Sequence, residues 1–160
     1  VTARSDYCLF RYGDTTYAFS TEIAGEIVEW RPHTVVAHAP RGLLGAFNLR
    51  GEIIPLISLS CFLERPEKET IRHASLLILA SGNLRIAAGV DAVIAVQHIA
   101  PWQIHPCEFD DPNPASLIRG ATGNEETKTL VLDGPALIAR IAETIRAGFQ
   151  HSDTKENEET

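Results

Sequence analysis

The chain has 160 residues, of which 44% are hydrophobic, and a formal net charge of −7. This apolar content suits one ordinary globular domain, or two very small ones sharing a core, and excludes wholesale disorder. The acidic balance speaks against nucleic-acid binding, which needs clustered Lys and Arg, and against direct docking on an anionic membrane.

Taken in chain order, most segments are short and apolar, with turn signals every eight to twelve residues, the pattern of a barrel or sandwich. Tyr7–Tyr12 and Thr16–Ser20 flank Gly13-Asp14 and predict a hairpin. Ile27–His38 is strand-like but breaks or bends at Pro32. Residues 43–59, LLGAFNLRGEIIPLISL, predict a strand–turn–strand unit around a tight Arg50-Gly51-Glu52 connection, in which Gly51 supplies backbone freedom. Pro55 cannot donate to a ladder, so its strand is expected at an edge or bulged. Ser60–Leu63 predicts a helical turn, and the charged run Glu64–His73 an exposed loop. Ser75–Ala80 and Leu84–Val90 flank Ser81-Gly82-Asn83, a second hairpin signal, and Val93–Ile99 continues as a strand. Glu108–Ala115 reads as a proline-broken loop.

One segment has helical periodicity. After Asp133-Gly134-Pro135, the residues Leu137, Ile138, Ile141, Ile145 and Phe149 recur at three- and four-residue spacing, with Asp133 as cap and Pro135 in the first turn. The expected helix covers 134–149, and 152–160 reads as a polar, disordered tail. A faint repeat links Tyr17–Val28 to Arg85–Val96, and Gly45–Leu59 to Gly120–Asp133.

The residues carry little catalytic chemistry. His33, His38, His73, His98, His105 and His151 form no ligand pair at zinc spacing, and no serine sits in a nucleophile elbow. Neither a phosphate loop nor a dinucleotide fingerprint is present. No catalytic residue, metal or cofactor is therefore expected. Cys8, Cys61 and Cys107 are too scattered for a disulfide framework and read as reduced thiols. The first twelve residues lack a signal-peptide core. The most apolar long window, Leu84–Trp102, holds Arg85, Asp91, Gln97 and His98 and is no membrane span, so the expected location is cytoplasmic.

Several residues call for a partner. Arg50 and Glu26 are charges enclosed by apolar neighbours, and they read either as a structural salt bridge or as part of a binding surface. Asp91 follows Val90 and is expected to accept backbone hydrogen bonds where the strand turns. Trp30 suits the core, and Trp102 suits core or interface equally. Val93, Val96 and Ile99, running to Trp102, form an apolar stretch that is unfavourable in water unless a partner covers it.

The run Gly45, Asn48-Leu49-Arg50-Gly51, Pro55 and Ser58 resembles the signature of the CheW family of bacterial chemotaxis coupling proteins. The likeness extends over roughly residues 7–147. It includes Leu9-Phe10 with Gly13-Asp14 and Tyr17-Ala18-Phe19, the pair Glu26-Ile27, Val90-Asp91 with Val93 and Val96, and Ile118 and Gly120 with Leu130–Asp133. Ala87 and Ala24 depart from the family's usual glycine and valine, which bears on receptor specificity and on whether the chain serves flagellar chemotaxis or pilus motility.

The resemblance implies a mainly β fold: two small five-stranded SH3-like β-barrels around a shared apolar core, with a C-terminal α-helix. The CheW-like domain would cover 1–151, with barrel one at about 17–83 and barrel two at about 84–133, completed by the N-terminal strand or the closing segments. It further implies a non-catalytic adaptor that couples the cytoplasmic tip of a chemoreceptor to the regulatory domain of a CheA-type histidine kinase. Receptor contacts would involve Glu26, Ile27, Leu49 and Arg50, and kinase contacts Val93, Val96, Ile99 and Trp102. Gly45, Gly51, Asp91 and Gly120 would shape turns. Within the same fold, the alternatives are a regulatory domain excised from a CheA-type kinase or the coupling half of a CheV-type protein. The polar tail, with no receiver pattern after it, favours a stand-alone adaptor. A small β-barrel enzyme or ligand-binding domain is the rival from another class, and a closed pocket with converging polar groups would support it.

Overall fold

A computed structural model describes residues 5–63, 75–106, 117–124 and 126–158, with side chains through residue 148. The loops expected at Glu64–His73 and Glu108–Ala115, and Cys107, lie outside the described residues.

Among the described residues, ten strands form two sheets. The first contains β1 (Asp6–Tyr12), β2 (Thr15–Ser20), β8 (Ala92–His98), β9 (Ile118–Thr122) and β10 (Thr129–Leu132), in the order β8-β1-β2-β10-β9. The second contains β3 (Ala24–Glu29), β4 (Leu43–Leu49), β5 (Glu52–Ile57), β6 (Ser75–Ser81) and β7 (Leu84–Val90), in the order β3-β6-β7-β5-β4. The sheet boundary therefore falls after Val90, not at residue 84, and the N-terminal hairpin β1–β2 completes the sheet built from the second half. The two orders superimpose when β3, β4, β5, β6 and β7 are matched to β8, β9, β10, β1 and β2. In both, one parallel pair (β5 with β7, β10 with β2) sits among antiparallel ones.

Register gives the match at single-residue level. Gly45 faces Leu56 and Gly120 faces Val131, while Ala46 faces Pro55 and Ala121 faces Leu130. Next along, Ser58 donates its N–H to Gly42 and Asp133 donates to Leu117, at 2.8 and 2.7 Å. Each of these residues then opens a helix: α1 (Leu59–Phe62) and α2 (Gly134–Glu158). Asp133 caps α2 as expected, with its Oδ1 accepting from Ala136 N–H at 3.1 Å. The helix runs past 149 to Glu158, so the segment expected as a disordered tail is helical to that point. Residues 149–158 contain no Gly or Pro and include Gln, Lys and Glu, which favour helix.

The sheets are curled but are not closed barrels. Each is completed by a single bridge from the chain that leaves one edge strand and reaches the other edge. Thr34 follows β3 and exchanges two backbone hydrogen bonds with Ala46 of β4, at 2.8 and 2.9 Å. His105 follows β8 and does the same with Ala121 of β9, at 2.8 Å for both bonds. This explains Gly45 and Gly120, which lie within strands and not in turns. A Cβ on Gly45 would meet the Thr34 carbonyl oxygen at 2.4 Å, and one on Gly120 would meet that of His105 at 2.5 Å. The same bridge resolves Pro55, whose strand is not an edge but lies between β4 and β7. Ala46 commits its N–H and C=O to Thr34, so in an antiparallel pair Pro55 turns its own backbone groups away from β4. The ladder to β7 begins one residue later, at Leu56.

Three apolar clusters follow. The largest lies between the sheets and joins Phe10, Tyr17 and Phe19 to Leu77, Leu79 and Ile86, with Leu137, Ile138 and Ile141 of α2 covering it. Phe10 stacks on both Tyr17 and Phe19. The second cluster fills the curl of the β3–β7 sheet with Phe47, Leu49, Ile54, Leu56, Leu76, Ile78 and Ala87, and Trp30 packs against it as expected. The third, inside the other sheet, is smaller: Tyr7, Leu9, Ala18, Ile99 and Val131. No helix among the described residues is long and apolar enough to cross a membrane.

Candidate functional site

The β4–β5 connection is a two-residue turn, since Leu49 faces Glu52 across the ladder. Arg50 and Gly51 both have positive φ, 51° and 86°. That is the backbone of a type I′ hairpin, whose twist matches the flanking strands. Gly51 adopts it freely, while Arg50 does so against the preference of an L-residue. Asn48 helps: its Oδ1 accepts the Gly51 N–H at 2.9 Å.

The turn aims Arg50 at β3. Arg50 Nη2 lies 2.7 Å from Glu26 Oε1 and 2.8 Å from Oε2. Because β3 and β4 are opposite edges, this pair spans the open end of the curled sheet. Two charges not anticipated from the sequence join it. Arg85, at the start of β7, places Nη2 3.1 Å from Glu26 Oε2, and its Nη1 is hydrogen-bonded to Glu52 at the start of β5. β5 and β7 are parallel, so their N-terminal ends lie together. That pairing juxtaposes Arg85 and Glu52, and it is invisible to a linear reading because 33 residues separate them.

The four side chains balance in charge. Arg50 is 65% exposed and Glu26 29% exposed, so water screens the pair and its own contribution to folding is under ~1 kcal/mol. Next to Glu26 and Glu52 in sequence, Ile27 on β3 and Ile53 on β5 are exposed, and strand alternation turns them to the opposite face of the sheet. Leu49 is not among these. It is buried in the second cluster, so it shapes the turn from beneath and offers no side-chain surface.

The expected second surface, on edge strand β8, divides similarly. Val96 is 65% exposed and Trp102, in a 3-10 turn at Pro101–Gln103, is 80% exposed. Ile99 is 2% exposed and belongs to the third cluster, and Val93 packs against the main core. Ile94, not singled out from the sequence, is exposed. Its position is a bulge, since Leu9 faces Ala95 and Phe10 faces Val93. Strand alternation alone would place Val93 and Val96 on opposite faces; the bulge pairs Val93 with Phe10 and Val96 with Cys8, so both lie on the face of the main core, where Val93 packs.

Asp91 stands where the chain passes from one sheet to the other. Its Oδ2 accepts the Gly13 N–H at 2.8 Å, and its own N–H donates to Arg11 at 2.9 Å, so it ties the β1–β2 turn to the end of β7. Its Oδ1 is buried with no hydrogen-bond partner among the described residues. Cys8 is buried in the main core, and desolvation raises its thiol pKa, which makes it a poor nucleophile. Among the described residues no group of three or more His, Cys, Asp or Glu is placed to hold a metal.

Comparison with known proteins agrees with this architecture. A chemotaxis protein CheW of Rhizobium meliloti is 34% identical over 99 residues, covering 61% of this chain and 63% of that protein, so the matched region spans less than two thirds of the relative. A probable chemotaxis protein CheW of Rhizobium etli is 33% identical over 133 residues, covering 81% of this chain and 84% of the relative. The crystal structure of scaffolding protein TtCheW from Thermoanaerobacter tengcongensis matches with a TM-score of 0.67 at 20% identity, covering 82% of this chain and 86% of that one, and so shares the fold. The family model for the CheW-like domain matches residues 6–142, and the chain therefore belongs to the CheW-like family.

Proposed function

We propose that this chain is a non-catalytic adaptor that couples chemoreceptors to a CheA-type histidine kinase in the cytoplasm. One observation carries the reading: two sheets of identical strand order present unlike surfaces. The β3–β7 sheet carries the Arg50–Glu26–Arg85–Glu52 array and exposed Ile27 and Ile53. The other sheet has exposed Ile94, Val96 and Trp102 at its β8 edge. An adaptor needs two such surfaces, and the names of the CheW relatives fit the role. In this reading Glu26, Ile27 and Arg50 face the receptor tip, with Leu49 supporting them. Val96 and Trp102 face the kinase regulatory domain together with Ile94, with Val93 and Ile99 holding the strand from inside. Apolar anchors supply affinity and the charges set orientation.

Arg50→Ala tests the receptor side. It should weaken binding to a soluble receptor cytoplasmic fragment by about tenfold, equivalent to ~1.4 kcal/mol, with a smaller change in folding stability. Val96→Asp tests the kinase side and should weaken kinase-domain binding while leaving receptor binding intact. Calorimetry with each partner separately reads both. Unchanged affinity in both titrations would leave a CheW-like fold serving another role.

A further inference from the structure

Arg50 points where it does because of what holds it. Its side chain is long, largely exposed and carried on a turn, so the backbone alone does not set its direction. Its hydrogen bond to Glu26 Oε2 and its ion-pair contact with Oε1 both run from Nη2, which leaves Nε and Nη1 for a second acceptor. Glu26 in turn sits on an edge strand, ahead of exposed Ile27, and has only one flanking strand to steady it. Arg85 differs. It stands on β7, an interior strand with β6 on one side and β5 on the other, and its guanidinium is gripped by both Glu26 and Glu52.

We propose that Arg85 is a positioning residue of this surface: it fixes Glu26, Glu26 fixes Arg50, and Arg50 offers its remaining donors to a carboxylate or carbonyl of the partner. The assignment rests on the reading of this surface as the receptor-facing one. It has a parallel in the other sheet that shows what is special here. By register, the counterparts of Glu26, Arg85 and Glu52 are Ala95, Thr16 and Thr127, so among the described residues the same end of the companion sheet has no equivalent array.

The test is calorimetry of the full chain against a soluble chemoreceptor cytoplasmic fragment, with thermal unfolding on the same samples. Arg85→Gln should weaken binding ~5-fold while the protein stays folded, and Arg85→Lys should recover part of that loss. Glu52→Gln, which loosens Arg85 without touching Glu26, should weaken binding about twofold. On a Glu26→Gln background, adding Arg85→Gln should change nothing further, because the relay is already broken. NMR of the Arg50 Nε–H group in the free protein should show greater side-chain mobility in Arg85→Gln than in the parent. If Arg85→Gln weakens binding equally on both backgrounds, Arg85 does not act through Glu26 and the assignment is overturned. If Arg50→Ala weakens binding and Arg85→Gln does not, the relay fails while the receptor-facing reading stands. If neither variant weakens binding, the receptor-facing reading fails as well.

Discussion

The two sheets have the same strand order, the same parallel pair, the same edge-closing bridge and the same glycine beneath that bridge, yet they differ in what fills and borders them. The β3–β7 sheet has seven buried residues in its own cluster, Phe47 and Leu56 among them, and a charged array at its open end. The companion sheet has five, with Ala18 and Val131 at its centre, and its outer edge is apolar. Backbone geometry therefore matches at positions such as Gly45 and Gly120, where a carbonyl passes within van der Waals reach. Side chains differ where geometry does not restrict them, at the edges and rims. An adaptor gains from that divergence, because unlike surfaces on like scaffolds recognise different partners.

The largest expected effect separates the two interiors. Leu56→Ala should destabilise by about 2–5 kcal/mol, the range for emptying a buried leucine site. Val131→Ala, at the matching position of the smaller cluster, should lose less, because fewer buried atoms are removed. Urea unfolding measures both, and an equal loss would mean that the interiors are energetically alike despite their composition.

Next, Ile99 and Trp102 should behave oppositely although three residues apart. Ile99→Ala should destabilise by about 2–5 kcal/mol and Trp102→Ala by less than ~0.5 kcal/mol. Only the latter should weaken kinase-domain binding at unchanged fold. A large stability loss from Trp102→Ala would take it out of the interface.

Gly45→Ala and Gly120→Ala should each destabilise by ~1–3 kcal/mol, since the added methyl strikes a carbonyl that is itself held in a bridge. Similar losses support the equivalence of the two closures. A loss at one position alone would mean that one bridge yields.

The smallest effect concerns Cys8, the register counterpart of Leu77. Burial raises the Cys8 pKa, so folding favours the neutral thiol. Its contribution is fully present below the unfolded thiol pKa of about 8.5 and is lost as pH rises through the higher folded value. Stability should fall with pH in the alkaline range, less steeply in Cys8→Ala. Cys8 should also alkylate more slowly than the partly exposed Cys61.

Local signals alone determined a good deal of this protein. Gly13, Gly51 and Gly82 mark hairpin turns because each supplies a positive φ, a local property. Leu137, Ile138 and Ile141 mark the buried face of α2 because helical period is local too. The charge pair Glu26–Arg50 was legible as two charges set among apolar neighbours, and the repeat of Gly45 in Gly120 as a spacing. Other properties needed the tertiary structure, since each depends on chain segments far apart in sequence. The N-terminal hairpin joins the sheet built from the second half of the chain because β1 pairs with β8, more than eighty residues later. Pro55 is tolerated between two strands because Ala46 is already committed to Thr34. Arg85 and Glu52 entered the array only when β5 and β7 paired in parallel. Ile99 read as part of an apolar surface run and Leu49 was a contact implied by the resemblance; that both side chains are buried depends on the curl of each sheet over its own interior.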